Sequence, residues 1–227
     1  GFKPEEIIFT PNGVSMDEYR EAIALGTKIT VDNISILEKF GQEFPRLPVF
    51  LRFNPHLMAG GNTKISVGHI DSKFGISIHQ IPIVLRLIKK YNIHVEGIHV
   101  HTGSDIVDMD IFERVAELIF SIADEFDNIE SIDLGSGFKV KYRENDLYTD
   151  IDKVGAKFTK IFNAYCKKRK KHLTLRFEPG KYMVSDAGLF LTSVNSIKQT
   201  TACTFVAVNS GFNHLIRPMF YGAHHDI

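Results

Sequence analysis

Short apolar runs of strand length alternate along this chain with longer segments in which apolar residues recur at helical spacing. Strands are predicted over residues 7–10, 28–32, 49–54, 95–101, 131–134 and 173–177. Helices are predicted over residues 15–25, 34–40, 78–91, 111–126 and 151–170. Because strands and helices alternate strictly, the pattern predicts a parallel sheet.

The residues that follow these strands favour a barrel over an open sheet. No strand leads into the Gly-x-Gly-x-x-Gly turn that is typical of dinucleotide-binding sheets. Instead Asn54, His101, Gly135 and Glu178 stand at the carboxyl ends of successive strands, where a (β/α)8 barrel carries its active-site residues. The sequence therefore predicts a partial (β/α)8 TIM-type barrel in which about six strands are present.

The pattern changes near residue 187. Residues 189–198 and 204–212 have strand composition with no helix between them, which predicts the beginning of an antiparallel β domain. We therefore expect two domains, a partial barrel over residues 1–186 and the start of a β domain over residues 187–227. Since both are incomplete, we expect the chain to be an internal segment of a longer polypeptide.

Charge and cysteine content exclude several classes of protein. Lysine plus arginine equals aspartate plus glutamate at 27 each, so no overall field favours nucleic acid or a membrane surface. No stretch approaches the roughly 20 apolar residues of a membrane helix. The two cysteines, Cys166 and Cys203, form no metal-ligand motif or disulfide framework, which favours the reducing cytoplasm.

The most informative segment is Gly-Ile-His-Val-His-Thr-Gly-Ser at residues 97–104. Side chains alternate along a strand, so His99 and His101 point to the same face. A Gly-Ser turn after such a strand can offer backbone N–H groups and a hydroxyl to a phosphate. Three interpretations remain open for this segment alone: a phosphorylated ligand beside an imidazole, a metal site, or hydrogen-bonded core histidines.

Three further segments carry candidate chemistry. The small residues of Gly135-Ser136-Gly137 let the backbone approach a ligand closely, although the same residues suit an ordinary tight turn. Glu178 precedes a Pro-Gly step and can hold a proton on a heterocyclic nitrogen, act as an acid or base, or pair with Arg176. Near the end of the chain, Arg217 and Tyr221 are spaced to clamp a substrate carboxylate.

These four segments, in this order, resemble the fold type III pyridoxal-phosphate decarboxylases, and most closely their diaminopimelate branch. The resemblance runs from GFKPEEIIFT through HVHTGSD, DLGSGF and EPGKYMVSDAG to NHLIRPMFYGAHH. It implies pyridoxal 5'-phosphate as cofactor and decarboxylation of meso-2,6-diaminopimelate to L-lysine and CO2. The positions that it assigns to the cofactor are His101, Ser104, Gly135, Ser136, Gly137, Glu178, Pro179, Gly180 and Lys181.

The resemblance also implies individual roles. His101 would stack on the pyridine ring and Glu178 would pair with the pyridine nitrogen, which makes these two the expected catalytic residues. Ser104 and the glycine turn would hold the phosphate, and His99 would have a supporting, hydrogen-bonded role. Lys181, Arg217 and Tyr221 are the expected substrate-binding residues. The family usually has arginine where Lys181 stands, so the charge is kept but the bidentate fork is lost.

Family resemblance further implies an amino-acid substrate and a head-to-tail homodimer with shared active sites. The family's Schiff-base lysine would lie before Gly1, and its cysteine-acid segment would lie after Ile227.

Two rival hypotheses remain: a metal-dependent barrel hydrolase that uses His99 and His101, and a non-catalytic pyridoxal-phosphate-binding barrel protein.

Overall fold

The computed structural model of the chain describes residues 1–57, 72–101, 103, 104 and 106–227. Its strands are β1 (Ile8–Phe9), β2 (Lys28–Val31), β3 (Pro48–Asn54), β4 (Ile76–Ser77), β5 (His94–Val100), β6 (Ser131–Asp133), β7 (Thr174–Arg176), β8 (Val194–Gln199) and β9 (Thr204–Val208). Its α-helices are α1 (Met16–Ala24), α2 (Ile34–Glu43), α3 (Ile81–Tyr91), α4 (Met109–Ala123), α5 (Ile151–Arg169), α6 (Gly180–Val184) and α7 (Arg217–Tyr221).

The first seven strands form one parallel sheet. Six of them lie side by side in the order β1-β2-β3-β5-β6-β7, and the two-residue strand β4 pairs with the end of β3. Apart from the short strand β4, strands that follow one another along the chain are thus neighbours in the sheet, which is the usual result of β-α-β connections. The prediction of a partial (β/α)8 barrel is confirmed.

Local signals explain where the helices begin. The side-chain oxygen of Ser15 accepts the backbone N–H of Glu18, and the Glu18 carboxylate accepts the backbone N–H of Ser15, so the predicted capping box opens α1. The predicted helix at 78–91 is divided into a 3-10 turn, Ile78–Gln80, and α3, which has Pro82 in its first turn. Proline has no N–H to donate, and the first turn is where none is needed.

The core lies between the sheet and its helices. Alternate residues of the central strands, such as Leu51, Ile98 and Ile132, are fully buried in it. They pack with helix residues such as Ile119 of α4 and Phe158 of α5. This packing covers one face of each central strand. The residues that alternate with these core residues along the strand therefore point to the opposite, concave face.

A separate sheet follows the barrel segment. Strands β8 and β9 pair antiparallel, and each is shorter than the strand predicted for it. The sequence analysis missed the five-residue helices α6 and α7, since segments of that length show too little of the helical period to be recognised. Across the described ranges, we find no helix whose length and hydropathy would let it cross a bilayer.

Candidate active site

The concave face of the sheet carries a row of polar side chains. In the strand register Arg52 of β3 lies opposite His99 of β5, His99 lies opposite Asp133 of β6, and Asp133 lies opposite Arg176 of β7. We refer to these four residues as the polar row. Three of the four, Arg52, His99 and Asp133, are buried. Parallel strands buried on both faces are normally apolar throughout, so buried polar residues on three adjacent strands indicate a site.

Burial and charge act together on the polar row. Burial lowers the pKa of the Arg52 guanidinium, while the carboxylates of Asp32 and Glu178 act in the opposite direction. Burial also raises the pKa of Asp133, and the largest effect in the opposite direction comes from the charge of His99. Sequence reasoning did not select Arg52, Asp133 or Asp32 as site residues, although charged residues within otherwise apolar strands are a recognisable signal.

His101 follows directly after β5, on the same face as His99. Burial, reinforced by the nearby charges of Arg52 and His99, lowers the pKa of His101 to about 4. The ring is therefore neutral at physiological pH. The backbone N–H of Ser136 points at its Nδ1 from 3.5 Å, which places the ring proton on Nε2.

The predicted glycine turn packs closely against this histidine. Gly135 has a φ of +60°, and a Cβ there would lie 2.6 Å from the His101 Nδ1. Gly137 has a φ of +100°, and a Cβ there would lie 2.4 Å from the carbonyl oxygen of Gly103. Both positions thus exclude other residues through backbone conformation and space together. The turn brings residues 135–137 against the turn after β5, as a shared phosphate cradle requires.

Glu178 is fixed to the glycine turn by its backbone. Its N–H donates to the carbonyl of Gly135 at 2.7 Å, and its carbonyl accepts the hydroxyl of Ser136 at 2.7 Å. Its carboxylate Oε2 lies 3.4 Å from the Nε2 of His99. The proposed pairing with Arg176 is not what the structure shows, because the Nε of Arg176 donates to the hydroxyl of Ser131.

The ionisation of Glu178 follows from these neighbours. Burial acts to raise the pKa of its carboxyl, but the interaction with His99, whose Nε2 lies 3.4 Å from the carboxylate, outweighs this effect with help from His101 and Arg52. The net result is a pKa below the ordinary value, so Glu178 is a carboxylate at neutral pH. A negative charge is thereby held near the neutral imidazole of His101 at the carboxyl end of the sheet.

A second group of predicted residues surrounds a cavity of about 420 Å³. Pro179 is the N-cap of α6, and Gly180 begins that helix, which turns Lys181 towards the cavity. Arg217 and Tyr221 stand at the two ends of α7 and also line it, together with Ser104. The expected substrate-binding residues are therefore brought together, next to one residue of the expected phosphate cradle.

Residues that the sequence analysis did not select complete this cavity. The Arg217 guanidinium lies 4.5 Å from the centre of the Tyr142 ring, and its Nη1 is 3.0 Å from the Nε2 of His225. Lys139 and Arg143, from the segment after β6, add two further cations to the lining. Their positions on a long irregular segment explain why no periodic pattern disclosed them.

His101 and Glu178 do not line this cavity. The site thus consists of two parts, a ring-and-carboxylate part over the sheet and a cation-rich part between the loops. The donors suit pyridoxal phosphate in three respects: a neutral ring that can stack, a carboxylate for the pyridine nitrogen, and glycine turns whose space a side chain would fill. The residues present therefore fit the cofactor implied by the resemblance.

Comparison with known proteins agrees with this geometry. Residues 1–185 match the family model described as pyridoxal-dependent decarboxylase, pyridoxal binding domain. The chain belongs to this pyridoxal-dependent decarboxylase family. Membership confirms the expected fold and the expected cofactor, pyridoxal phosphate.

Several diaminopimelate decarboxylases are similar to this chain over all or nearly all of the chain's residues. The protein from Methanothermobacter thermautotrophicus is 34% identical over 100% of the chain and 54% of its own length. The Escherichia coli K12 protein is 31% identical over 99% of the chain and 53% of its own length. The chain therefore spans about half the length of these curated relatives.

Solved structures give the same result. A crystal structure of diaminopimelate decarboxylase superposes with a TM-score of 0.90 at 28% identity, covering 100% of this chain and 55% of the other. The Helicobacter pylori diaminopimelate decarboxylase complexed with L-lysine gives a TM-score of 0.82 at 27% identity, covering 100% of this chain and 58% of the other.

The rival metal-site hypothesis is not supported. In the part of the chain that the structure describes, the histidine and carboxylate groups close enough to share an ion are His99, Asp133 and Glu178, within 4.8 Å of one another. His101, the second ligand of the proposed hydrolase, is not among them. The family model that the chain matches is instead that of a pyridoxal-binding domain, and pyridoxal is an organic cofactor.

Proposed function

We propose that the chain is the larger part of the cofactor-binding barrel of a meso-2,6-diaminopimelate decarboxylase, which releases CO2 and yields L-lysine. The observation that carries the proposal is the cavity in which Lys181, Arg217 and Tyr221 meet beside Ser104. Diaminopimelate has a second amino-acid group far from its reacting carbon. A cation-rich cavity next to the cofactor turns suits the carboxylate of that distal group.

One group of residues would bind the cofactor. Pyridoxal phosphate, when bound, supplies an electron sink for the pair of electrons left behind when the carboxylate departs as CO2. Glu178 would hold the proton on the pyridine nitrogen, and neutral His101 would cover one face of the ring without adding positive charge. Ser104, Gly135, Ser136 and Gly137 would bind the phosphate.

The substrate contacts follow from the second part of the site. Arg217 and Tyr221 would hold the distal carboxylate, and Lys181 would contribute its charge to that group or to the cofactor phosphate. Holding the distal end fixes the orientation of the reacting end, which is how binding energy away from the reaction is used for catalysis. The neutral ring of His101 and the lowered pKa of the Glu178 carboxyl support the roles that we propose for them.

The proposal includes the organisation of the whole protein. Residues 1–186 would form the cofactor-binding barrel segment, and residues 187–227 would begin the C-terminal β domain. We propose that the protein acts in the cytoplasm as a homodimer whose active sites are shared between subunits. Light scattering after size-exclusion chromatography would measure the oligomeric state, and a monomer with full activity would contradict this part of the proposal.

The experiment is a decarboxylation assay on the full-length protein loaded with pyridoxal phosphate. We expect release of CO2 and formation of L-lysine from meso-diaminopimelate, with little CO2 from L-lysine or L-ornithine. Arg217→Ala should raise the KM for diaminopimelate at least tenfold, since it removes a charge-assisted contact worth about 1.5–3 kcal/mol. Arg114→Ala, at an exposed position of α4, is the matched control and should leave the KM unchanged.

Each alternative has its own outcome in this assay. A protein that binds pyridoxal phosphate but releases no CO2 from any of the amino acids would be a non-catalytic binding protein. CO2 release from ornithine in preference to diaminopimelate would refute the assignment of the distal carboxylate to Arg217. A protein that does not bind pyridoxal phosphate would refute the proposed function as a whole.

A further inference from the structure

The strongest unexplained feature of the site is the environment of His99. Its side chain is only 2% exposed, and neither ring nitrogen has a hydrogen-bond partner among the residues that the structure describes. A buried donor or acceptor left without a partner is costly, so such a group in a native site calls for a role. The supporting, hydrogen-bonded role expected for His99 names no partner, and none of the cofactor or substrate contacts proposed above uses this ring.

Two carboxylates lie within reach of the His99 ring. The Oε2 of Glu178 is 3.4 Å from Nε2, an ion-pair distance whose alignment falls short of a hydrogen bond. The Asp133 carboxylate lies within 4.8 Å of the ring as well, on the neighbouring strand. A small movement of the Glu178 side chain is therefore enough to satisfy Nε2, and catalytic hydrogen bonds are often long until a ligand is bound.

The three side chains differ in how firmly they are held. His99 lies in the middle of the polar row, between Arg52 and Asp133. Asp133 is buried, and its Oδ1 accepts the backbone N–H of Gly135 at 2.8 Å. By contrast, Glu178 comes from the turn after β7, and its side chain is 39% exposed. Of these three side chains, that of Glu178 is the least restrained, so a contact that positions it has the largest effect.

We propose that His99 is a positioning residue for Glu178: its Nε2–H holds the carboxylate in place for the pyridine nitrogen, while the buried Asp133 carboxylate lies within 4.8 Å of the same histidine. This inference rests on the proposed function, because Glu178 faces a pyridine nitrogen only if pyridoxal phosphate is bound. It adds a residue to the site through contact with Glu178 rather than with the cofactor. Outer groups of this kind set the orientation of the group that touches the ligand.

The test is a double-mutant cycle on the affinity of the full-length protein for pyridoxal phosphate. His99→Phe keeps a ring of similar size without nitrogens, His99→Asn is too short to reach Glu178, and His99→Gln keeps a donor near the position of Nε2. Each is measured alone and with Glu178→Gln. His94→Phe, at the other end of β5, is the matched control. Cofactor dissociation constants and the absorbance band of the bound cofactor are recorded together with thermal unfolding.

We expect H99F and H99N to weaken cofactor binding roughly tenfold and to shift the absorbance band. H99Q should recover most of the affinity, and H94F should bind as the wild type does. In the E178Q background, H99F or H99N should add less than about twofold, because the residue through which His99 acts is already altered. If H99F does not fold, the cycle with H99N and the recovery by H99Q decide the question in the same way.

Other results would overturn the inference. Wild-type affinity in H99F or H99N would show that the ring has no effect on Glu178. An equal loss of affinity with and without E178Q would show that His99 acts only on the fold. Failure of the wild-type protein to bind pyridoxal phosphate would overturn the proposed function and this inference with it, whereas normal wild-type binding with an unaffected H99F would overturn this inference alone.

Discussion

Replacement of Gly137 by alanine should destabilise the protein through two separate effects. Gly137 has a φ of +100°, and an L-residue in a left-handed conformation costs about 1–2 kcal/mol. The added Cβ would also lie 2.4 Å from the carbonyl oxygen of Gly103, closer than real Cβ contacts allow. Overpacking of this kind costs about 1–3 kcal/mol, so the expected loss is about 2–5 kcal/mol in the free energy of unfolding.

Relief of the clash would disturb the site. The carbonyl of Gly137 accepts the backbone N–H of Ile106 at 2.9 Å, so a shift of the turn stretches a hydrogen bond between the two segments that we propose to bind the phosphate. We therefore expect Gly137→Ala to weaken pyridoxal-phosphate binding as well as the fold. Both losses have the same physical origin, because the turn can lie this close to Gly103 only when residue 137 has no Cβ.

Gly155 provides the matched control for this prediction. It lies inside α5, and a Cβ there would meet no atom within 4 Å. Gly155→Ala should therefore stabilise the protein by about 0.5–1 kcal/mol. Urea unfolding followed by circular dichroism measures both variants, because the chain has no tryptophan. A Gly137→Ala variant within 0.5 kcal/mol of the wild type, or a Gly155→Ala variant that loses as much, would refute the reasoning.

Three further predictions concern His101, Ser15 and Tyr142. Because the pKa of His101 is about 4 in the folded protein against an ordinary 6.5, the unfolded chain takes up the proton first as the pH falls. The cofactor-free protein should thus lose about 3 kcal/mol between pH 6.5 and pH 4 that His101→Gln does not lose; equal pH slopes in urea titrations would contradict this. Ser15→Ala removes the cap of α1 and should lower the free energy of unfolding by about 1 kcal/mol, and an unchanged urea midpoint would argue against the cap. Tyr142→Leu removes the ring that lies 4.5 Å from Arg217 and should raise the KM for diaminopimelate roughly fivefold, while Tyr142→Phe keeps it; equal effects in kinetic assays would exclude the ring contact.

Much of the fold could be predicted because its signals are local. The capping box of Ser15 and Glu18 and the proline in the first turn of α3 act over a few residues, so the sequence shows them directly. Element ends were less accurate. The helix predicted over residues 111–126 is Met109–Ala123, since Asp108 caps it earlier than the apolar pattern begins. The short helices α6 and α7 gave no periodic signal.

The candidate site was predicted in its parts and not in its arrangement. His101, Glu178 and the glycine turn could be selected because their residue types and positions after strands are typical of the family. Their division into two parts was not predictable, because it depends on how α6 and α7 lie against the segment after β6. The same long-range packing places Tyr142 beneath Arg217, although 75 residues separate them in the chain.

What the sequence by itself determined is the order of strands and helices, the presence of a glycine turn after a strand, and the family to which the chain is similar. Only the tertiary structure showed the polar row. Arg52, His99, Asp133 and Arg176 lie on four different strands, and their contact depends on the register of the ladders between those strands. The alternation of side chains within a strand is a local property that the sequence displays, whereas register is set by the packing of the whole sheet on its helices.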